Sequence, residues 1–236
     1  MTRGRFTRLP SAFAVLGMTL VSTTQAPADL SDLPIQEFPA ARAGPTLAVL
    51  LTGDGGFAEF DRQLAASLAE RGVAVVGLNS RAYFGTARTP DQAAHDVARI
   101  MLAYLARWQR QQLVLIGYSR GADAAPFIVN RLPEDLRRRL GLVVMVGLAP
   151  YANFHFHLID LVRDSHRADD LPVGPELERL RGLRMLCLHG SNEIKSGCRD
   201  ADSTLMQRHE HRGGHRVTAD FEAITELIVA AIPSES

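Results

Sequence analysis

Residues 113–121, LVLIGYSRG, decide the fold of this chain. The apolar run at 113–116 predicts a buried strand, and a helix is predicted from about 122 to 131. Gly117-Tyr118-Ser119-Arg120-Gly121 lies between them and matches G-x-S-x-G, in which glycines allow a sharp turn and the serine hydroxyl projects above the sheet. The following helix would direct its N-terminal amides at the same spot. We predict that Ser119 is a nucleophile; a tight structural turn is the alternative.

Similar apolar runs occur on both sides of this stretch and alternate with amphipathic ones. The predicted strands are residues 47–51, 73–78, 113–116, 142–148 and 185–188. Helices are predicted at 59–71, 122–131 and 220–232. A further helix begins at Thr89-Pro90-Asp91-Gln92, where Thr is the N-cap, Pro occupies the first helical position and Gln the third. Continuous apolar strands separated by helices favour an α/β fold, with a mostly parallel, doubly wound sheet that carries helices on both faces.

The composition excludes several classes of protein. The chain has 236 residues, 46% of them apolar, and only two cysteines, so it is neither disordered, nor collagen-like, nor a disulfide-dense miniprotein. Residues 1–28 contain three arginines and no acid, which leaves 23 basic and 26 acidic side chains in the rest. This net charge of −3 argues against a nucleic-acid-binding protein.

The N-terminus has the three parts of a secretory signal. Residues 1–10 are cationic, 11–21 are apolar but too few to span a bilayer, and Ala26-Pro27-Ala28 offers small residues to a signal peptidase. We therefore predict that 1–28 is a signal peptide, that the mature chain starts near Asp29, and that the protein is exported. An uncleaved anchor or a cytosolic tail is the alternative.

The remaining chain divides into a short lead-in and one domain. Residues 29–45 contain three prolines and are predicted to be an exposed, extended lead-in, and 46–236 form the domain. Within the domain, 151–175 is the least regular part and lies where this architecture can carry a lid. His155 and His157 have a spacing that suits a metal site, but no third ligand follows at a clear spacing, which favours a packed or solvated pair.

A serine hydroxyl becomes a good nucleophile only when a base accepts its proton. In this architecture the catalytic residues follow along the chain in the order nucleophile, acid, histidine. His215 is the best candidate because it follows Gly213-Gly214 on a predicted loop just before the closing helix. His209 and His211 are its competitors, and the cluster at 209–215 also allows a metal site. Carboxylates at ligand spacing are missing from that cluster, so we predict a base and no metal.

The acid is expected on the loop after the predicted strand at 185–188. Glu193 is our choice because it lies close to the end of that strand. The acid must be held at a short, fixed distance from the imidazole to keep the ring in one tautomer. Asp200 and Asp202, further along, are alternatives, as is the possibility that Glu193 is a solvated surface acid.

Cys187 and Cys198 are the two cysteines of the chain. An even count in an exported protein favours a disulfide between them, which would close a short loop around Glu193. Two unrelated free thiols are the alternative. The case for metal binding by the two cysteines is weaker still, because neither belongs to a C-x-x-C unit.

The oxyanion hole is predicted at a glycine-rich loop after the first strand. Thr52-Gly53-Asp54-Gly55-Gly56 can supply a backbone N–H, from Asp54 or Gly55, that meets the N–H of Arg120. A dinucleotide site is a poor alternative because the third glycine of that motif is missing. An ordinary tight turn remains possible.

The motifs LLTGDGGF, GYSRGAD and GGH, within residues 47–221, make this chain resemble the VirJ/AcvB family of bacterial virulence-associated proteins. Ser119 and Asp123 match the family's GYS-x-GAD elbow. The family's GGHH is matched at His215, whereas Arg216 replaces the second histidine. Its E-x-D-S-x-C loop is matched at Glu193 and Cys198, but Lys195 stands where Asp is common, which puts a role for that position in doubt.

The resemblance implies an α/β-hydrolase fold and a periplasmic serine esterase without a cofactor. Its substrate would be aminoacyl-phosphatidylglycerol, the lysyl or alanyl lipid, at the membrane surface. Asp123 would bind the ammonium of the substrate, with Asp54 and Glu59 as alternatives. Some relatives are linked to type IV secretion, so the alternative is a non-catalytic binding protein of the same fold that acts as an accessory of secretion-system proteins.

Overall fold

The computed structural model describes residues 29–156, 167–217 and 221–234, so the predicted signal peptide lies outside it. The strands are β1 (Ile35–Phe38), β2 (Thr46–Leu51), β3 (Ala74–Leu78), β4 (Gln112–Tyr118), β5 (Leu140–Val146), β6 (Tyr151–Ala152), β7 (Leu171–Pro172), β8 (Met185–Gly190) and β9 (Gln207–His211). The helices are α1 (Glu59–Glu70), α2 (Ser80–Tyr83), α3 (Pro90–Arg107), α4 (Arg120–Arg131), α5 (Glu134–Arg139), α6 (Gly174–Glu178), α7 (Gly197–Asp200) and α8 (Phe221–Ala231). None of these helices combines the length and apolar composition needed to cross a bilayer.

Most strands belong to one twisted sheet in the order β1-β3-β2-β4-β5-β8-β9. Neighbouring strands are parallel, except that β1 runs antiparallel to β3. β6 and β7 form a separate antiparallel pair. The predicted mostly parallel sheet is confirmed. Because the carboxyl ends of parallel strands meet at one edge, the loops after β2, β4, β8 and β9 converge there.

The central strands are buried on both faces, which their continuous apolar sequences require. Along β2, Leu47, Val49 and Leu51 join the core that α3 and α4 cover, whereas Ala48 and Leu50 join the core that α1 and α8 cover. Successive side chains of a strand point to opposite faces, so both faces here must be apolar. The sheet is therefore doubly wound.

Both edges of the sheet differ from the sequence prediction. The segment 29–45, predicted as an exposed lead-in, contributes edge strand β1, and its Leu33 is buried. At the other edge, β9 has the sequence QRHEH, whose polar pattern does not predict a strand. An edge strand has water on its outer side and can therefore form without an apolar sequence.

Candidate active site

Ser119 lies at the turn between β4 and α4. Its φ of 51° and ψ of −121° put it in a region that residues with side chains rarely adopt. A Cβ on Gly117 would overlap the backbone of Gly121, and a Cβ on Gly121 would overlap the backbone of Leu51. The two glycines are thus required by close backbone approach, and the turn holds the serine hydroxyl above the sheet.

Ser119, His215 and Glu193 form a continuous chain of hydrogen bonds. Ser119 Oγ lies 2.7 Å from His215 Nε2, and His215 Nδ1 lies 2.6 Å from Glu193 Oε1. The second carboxylate oxygen of Glu193 accepts from the Gly190 amide at 3.1 Å. An ionised carboxylate can only accept, so Nδ1 carries the proton and Nε2 is left to accept from the serine hydroxyl.

The loops that carry Glu193 and His215 are held against each other. β8 and β9 are adjacent parallel strands, so the loops after them leave the sheet side by side. The backbone N–H of Asn192 donates to the Gly213 carbonyl at 2.8 Å. A Cβ on Gly190 would overlap the backbone of the His215 loop, which explains the need for glycine there. This contact sets the spacing between acid and imidazole.

The predicted disulfide between Cys187 and Cys198 is confirmed. It joins the middle of β8 to the start of α7, and both cysteines are fully buried. The loop that carries Glu193 is therefore closed at its base by a covalent bond.

The pair of Glu193 and His215 shifts the pKa of both groups. The hydrogen bond that His215 donates to the Glu193 carboxylate raises the pKa of His215 and outweighs the opposing effect of burial. Burial raises the pKa of Glu193, but its hydrogen bonds with His215 and with the Gly190 amide more than offset this, and the net pKa is lowered. The carboxylate thus stays ionised and stabilises the imidazolium form of its partner.

The glycine-rich loop after β2 lies against the nucleophile. A Cβ on Gly53 would be 3.2 Å from the Cβ of Ser119, and the Gly56 amide donates to the Gly53 carbonyl at 3.0 Å. Asp54 and Gly55 line the same cleft as the serine. The first-turn amides of α4, which a helix does not use internally, start at Arg120, directly after Ser119. The predicted oxyanion-hole residues are therefore brought together around Ser119.

Arg120 also contributes its side chain, which the sequence analysis did not single out. The buried guanidinium forms an ion pair with Asp54 and donates to the Asn153 carbonyl at 2.9 Å. It lies 5.5 Å from the centre of the Phe156 ring. The arginine therefore connects the turn of the nucleophile with the glycine-rich loop, and the Asp54 carboxylate is occupied by it.

A cleft of about 1110 Å³ opens in front of Ser119. Its charged lining residues are Asp54, Glu59, Arg120, Asp123, Arg167, Asp170, Glu193, Lys195 and Arg216. Asp123 is half-buried and accepts a hydrogen bond from the Ala149 amide at 2.7 Å. Burial raises its pKa to about 7, although the Ala149 amide opposes the shift. Glu59 is exposed and hydrogen-bonds to Gln63.

The competing candidates from the sequence lie elsewhere. His209 and His211 belong to β9 and do not line the cleft, and His211 is buried with Nδ1 3.1 Å from a backbone carbonyl. Asp202 pairs with Arg181 and caps a turn at Thr204. Among the described residues, no cluster of three or more His, Cys, Asp or Glu could hold a metal ion. Of the histidine pair considered as a metal site, His155 is described, whereas His157 lies outside the described residues.

Two further neighbours of the His215 imidazole, Tyr118 and Gly147, were not predicted from the sequence. The ring of Tyr118 is nearly parallel to that of His215, with centroids 6.3 Å apart. Gly147, just after β5, has φ 69°, and a Cβ there would be 2.9 Å from His215 Cε1. A glycine at the carboxyl end of a central strand was the only signal that could have marked this position.

Asp61, near the start of α1, is a fully buried carboxyl that the site does not use. Neither of its oxygens makes a hydrogen bond of normal geometry to the described residues. Burial raises its pKa from 3.8 to about 7, and backbone amides, that of Gly53 foremost, offset burial only in part. Between pH 4 and 7 the folded state therefore binds a proton that the unfolded state lacks, so this group makes the protein less stable as the pH rises.

We expect Asp61→Asn to be more stable than the parent above pH 7, by up to roughly 4 kcal/mol, because the variant has no charge to bury. The difference should shrink as the pH falls towards 4. Urea unfolding at pH 4.5 and pH 8 measures it. Asp135→Asn, an exposed position in α5, is the control and should behave alike at both pH values. A gap between Asp61→Asn and the parent that does not widen with pH would contradict this account.

The sequence profile described as "Bacterial virulence protein (VirJ)" matches residues 45–235. The chain belongs to the VirJ family. The resemblance noted from its motifs is thus confirmed. A search of curated protein sequences finds no significant match.

Solved structures similar to this VirJ family member share its fold. MenH from S. aureus is 11% identical, with a TM-score of 0.60 over 84% of this chain and 97% of that chain. The thioesterase domain from the curacin biosynthetic pathway is 14% identical, with a TM-score of 0.57 over 83% and 94%. Est1E from Butyrivibrio proteoclasticus is 12% identical, with a TM-score of 0.53 over 84% and 92%. At these identities the likeness concerns the fold, which is the predicted α/β-hydrolase fold.

Proposed function

We propose that this protein is a serine ester hydrolase in which Ser119, His215 and Glu193 form the catalytic triad. The observation that carries the proposal is the hydrogen-bond chain from serine through imidazole to carboxylate, with distances of 2.7 and 2.6 Å. The esterases and thioesterases among the structures of the same fold support a hydrolytic role.

In this mechanism Ser119 Oγ attacks the ester carbonyl carbon while His215 Nε2 takes the hydroxyl proton. The carbonyl oxygen becomes an oxyanion and accepts hydrogen bonds from backbone amides of the glycine-rich loop and of the first turn of α4. When the tetrahedral intermediate collapses, His215 returns the proton to the leaving alcohol oxygen. Water then attacks the acyl-serine in the same way and releases the acid. Glu193 keeps the imidazole in the required tautomer throughout.

The proposed substrate is the aminoacyl ester of aminoacyl-phosphatidylglycerol, with lysyl or alanyl as the aminoacyl group. Membership in the VirJ family supports it, and so does the position of Asp123. This half-buried carboxylate is in the first turn of α4 and lines the cleft with Ser119. In an aminoacyl ester the α-ammonium is attached next to the carbonyl carbon, so a carboxylate close to the nucleophile can pair with it. The ammonium would in turn favour the ionised form of Asp123.

The second candidate is a non-catalytic accessory protein of type IV secretion. The assembled hydrogen-bond chain favours the enzyme, because a binding protein has no need of a serine, histidine and acid in this geometry. The proposed location is the periplasm, on the pattern of residues 1–28.

The substrate proposal is tested on the purified mature protein with lysyl- and alanyl-phosphatidylglycerol in detergent micelles. We expect mass spectrometry to show free amino acid and phosphatidylglycerol. In Asp123→Asn, the ratio of kcat/KM for an aminoacyl ester to kcat/KM for a simple acyl ester should fall at least about tenfold, because a charged hydrogen bond is lost. If both lipids stay intact while a simple acyl ester is cleaved, the substrate is wrong and the hydrolase proposal stands.

A further inference from the structure

The oxyanion hole of the proposed mechanism takes its backbone amides from two separate parts of the chain. One part is the start of α4, where Arg120 follows Ser119 directly, and the other is the glycine-rich loop with Asp54 and Gly55. Both amides must point at the same oxygen atom, and a misplacement of about 1 Å can cost roughly a hundredfold in rate. The distance between the loop and the first turn of α4 therefore has to be fixed by a contact between them.

The sheet fixes this distance as far as the ends of two strands. β2 and β4 pair in parallel up to Leu51 and Gly117, where the ladder ends. Beyond it, the base of the glycine-rich loop is held towards β3 and α2, since the Thr52 N–H donates to the Leu78 carbonyl at 3.1 Å. The Ser80 N–H donates to Thr52 Oγ1 at 2.9 Å on the same side. These hydrogen bonds do not reach the turn of the nucleophile.

The ion pair between Arg120 and Asp54 joins the two parts of the oxyanion hole. Arg120 supplies one amide itself, and Asp54 supplies or directly precedes the other. The guanidinium is 8% exposed and the carboxylate 26% exposed. The guanidinium is also held by the Asn153 carbonyl, to which it donates at 2.9 Å, and by the ring of Phe156. Charges this far from water interact more strongly than exposed ones, and the loss of one partner is costly.

We propose that the Arg120–Asp54 ion pair positions the oxyanion hole, by holding the glycine-rich loop at the distance from α4 at which both amides bind one oxyanion. The inference rests on the proposed function, because a protein that forms no oxyanion has no use for this spacing. Neither side chain needs to touch the substrate, so both are positioning groups. The substrate ammonium is left to Asp123, since the Asp54 carboxylate is engaged by Arg120.

The test is Asp54→Asn, which keeps the size of the side chain and the backbone amide but removes the charge. We expect kcat for a simple acyl ester to fall at least about tenfold while KM stays within about twofold, because the oxyanion forms only after the ester has bound. The rate of covalent labelling of Ser119 by a fluorophosphonate should fall by a similar factor, since its phosphoryl oxygen binds the same amides. Thermal unfolding verifies that the variant is folded.

Arg120→Gln and the double variant test whether the two side chains act together. The change at Arg120 also removes the contacts with Asn153 and Phe156, so it should lower kcat at least as much as Asp54→Asn. In the double variant the two losses should not multiply, because each single change already breaks the same ion pair. Multiplying losses would overturn the proposal. If Arg120→Gln does not fold, the kcat and the labelling rate of Asp54→Asn decide alone.

A comparison of two esters tests the other role considered for Asp54. If its carboxylate bound the substrate ammonium, Asp54→Asn would impair hydrolysis of an aminoacyl ester and spare a simple acyl ester. We expect the same factor of loss for both esters, and a loss confined to the aminoacyl ester would overturn the positioning role. Glu134→Gln, which breaks the exposed ion pair with Arg138 on α5, is the matched control and should behave as the parent does.

The labelling rates separate this inference from the proposed function. If the parent is labelled at Ser119 but hydrolyses neither ester, the proposed function is wrong, and the labelling rate of Asp54→Asn still decides on the ion pair. If the parent hydrolyses esters and Asp54→Asn does so equally well, the ion pair has no positioning role and the esterase stands. A parent that is neither labelled nor active would overturn both.

Discussion

Ser119→Ala is expected to lower kcat/KM for ester hydrolysis by about 10⁴-fold or more, since the proposed acyl intermediate forms on the oxygen that this change removes. The same change should abolish covalent labelling by a fluorophosphonate, which reacts with activated serines. Within the described part of the chain, the Ser119 hydroxyl makes one side-chain hydrogen bond, to His215, and its removal should leave the melting temperature close to that of the parent. Ester turnover, labelling and thermal unfolding are measured on the same preparation.

The control for this result is Ser31→Ala, an exposed serine near the start of the described chain. It should label and turn over as the parent does. A Ser119→Ala protein that still reacts with the probe would show that another residue is the nucleophile, and an unlabelled parent protein would remove the case for an enzyme.

Glu193→Gln is expected to lower kcat by about 10³- to 10⁴-fold, the scale seen when the acid of a triad is replaced by its amide. Glutamine can donate to His215 Nδ1, which favours the wrong tautomer, and it no longer stabilises the imidazolium. Steady-state kinetics on a simple acyl ester measure the loss. Asp200→Asn is the matched control, because it changes another acid of the same part of the chain and should retain activity.

The pH dependence gives an independent readout of the same pair. His215 must be neutral to accept the serine proton, so activity rises as the pH increases through its pKa. The Glu193 carboxylate raises that pKa above the usual 6.5, and the acidic limb of the kcat/KM profile should therefore lie above pH 6.5 in the parent. In Glu193→Gln the residual activity should have its limb at lower pH. An unshifted limb would mean that Glu193 does not act on His215.

Much of the fold could be predicted because its signals are local. The buried strands β2 to β5 and β8 have continuous apolar sequences, and α3 begins with the predicted capping box, in which the Gln92 amide donates to Thr89 Oγ1 at 3.1 Å. The edge strands β1 and β9 could not be predicted, since their pairing partners, rather than their own residues, make them strands. Short elements such as α2 and α7 fall below the length at which periodicity is informative.

The site was predictable in part. The elbow at Ser119 is encoded within five residues, and Glu193 and His215 follow it in the expected chain order. The choice of His215 over His209 rested on two glycines. The structure gives a physical reason for that choice. His209 is within β9, whereas His215 is on the loop beyond the carboxyl end of that strand. The ion pair of Arg120 with Asp54 had no sequence signal, because the two residues are 66 positions apart.

The sequence by itself determined the strand-turn-helix at Ser119 and the parallel sheet, because turn geometry and burial on two faces restrict which residues can stand at each position. It made Glu193 and His215 the first candidates for acid and base and left other residues open. Only the tertiary structure decided that Ser119 and His215, 96 residues apart, come within 2.7 Å. It also decided that Ile194 stands exposed at the mouth of the cleft and that Asp61 is buried. Such distances depend on how β4, β8 and β9 are ordered in the sheet, and strand order is a property of packing between distant segments.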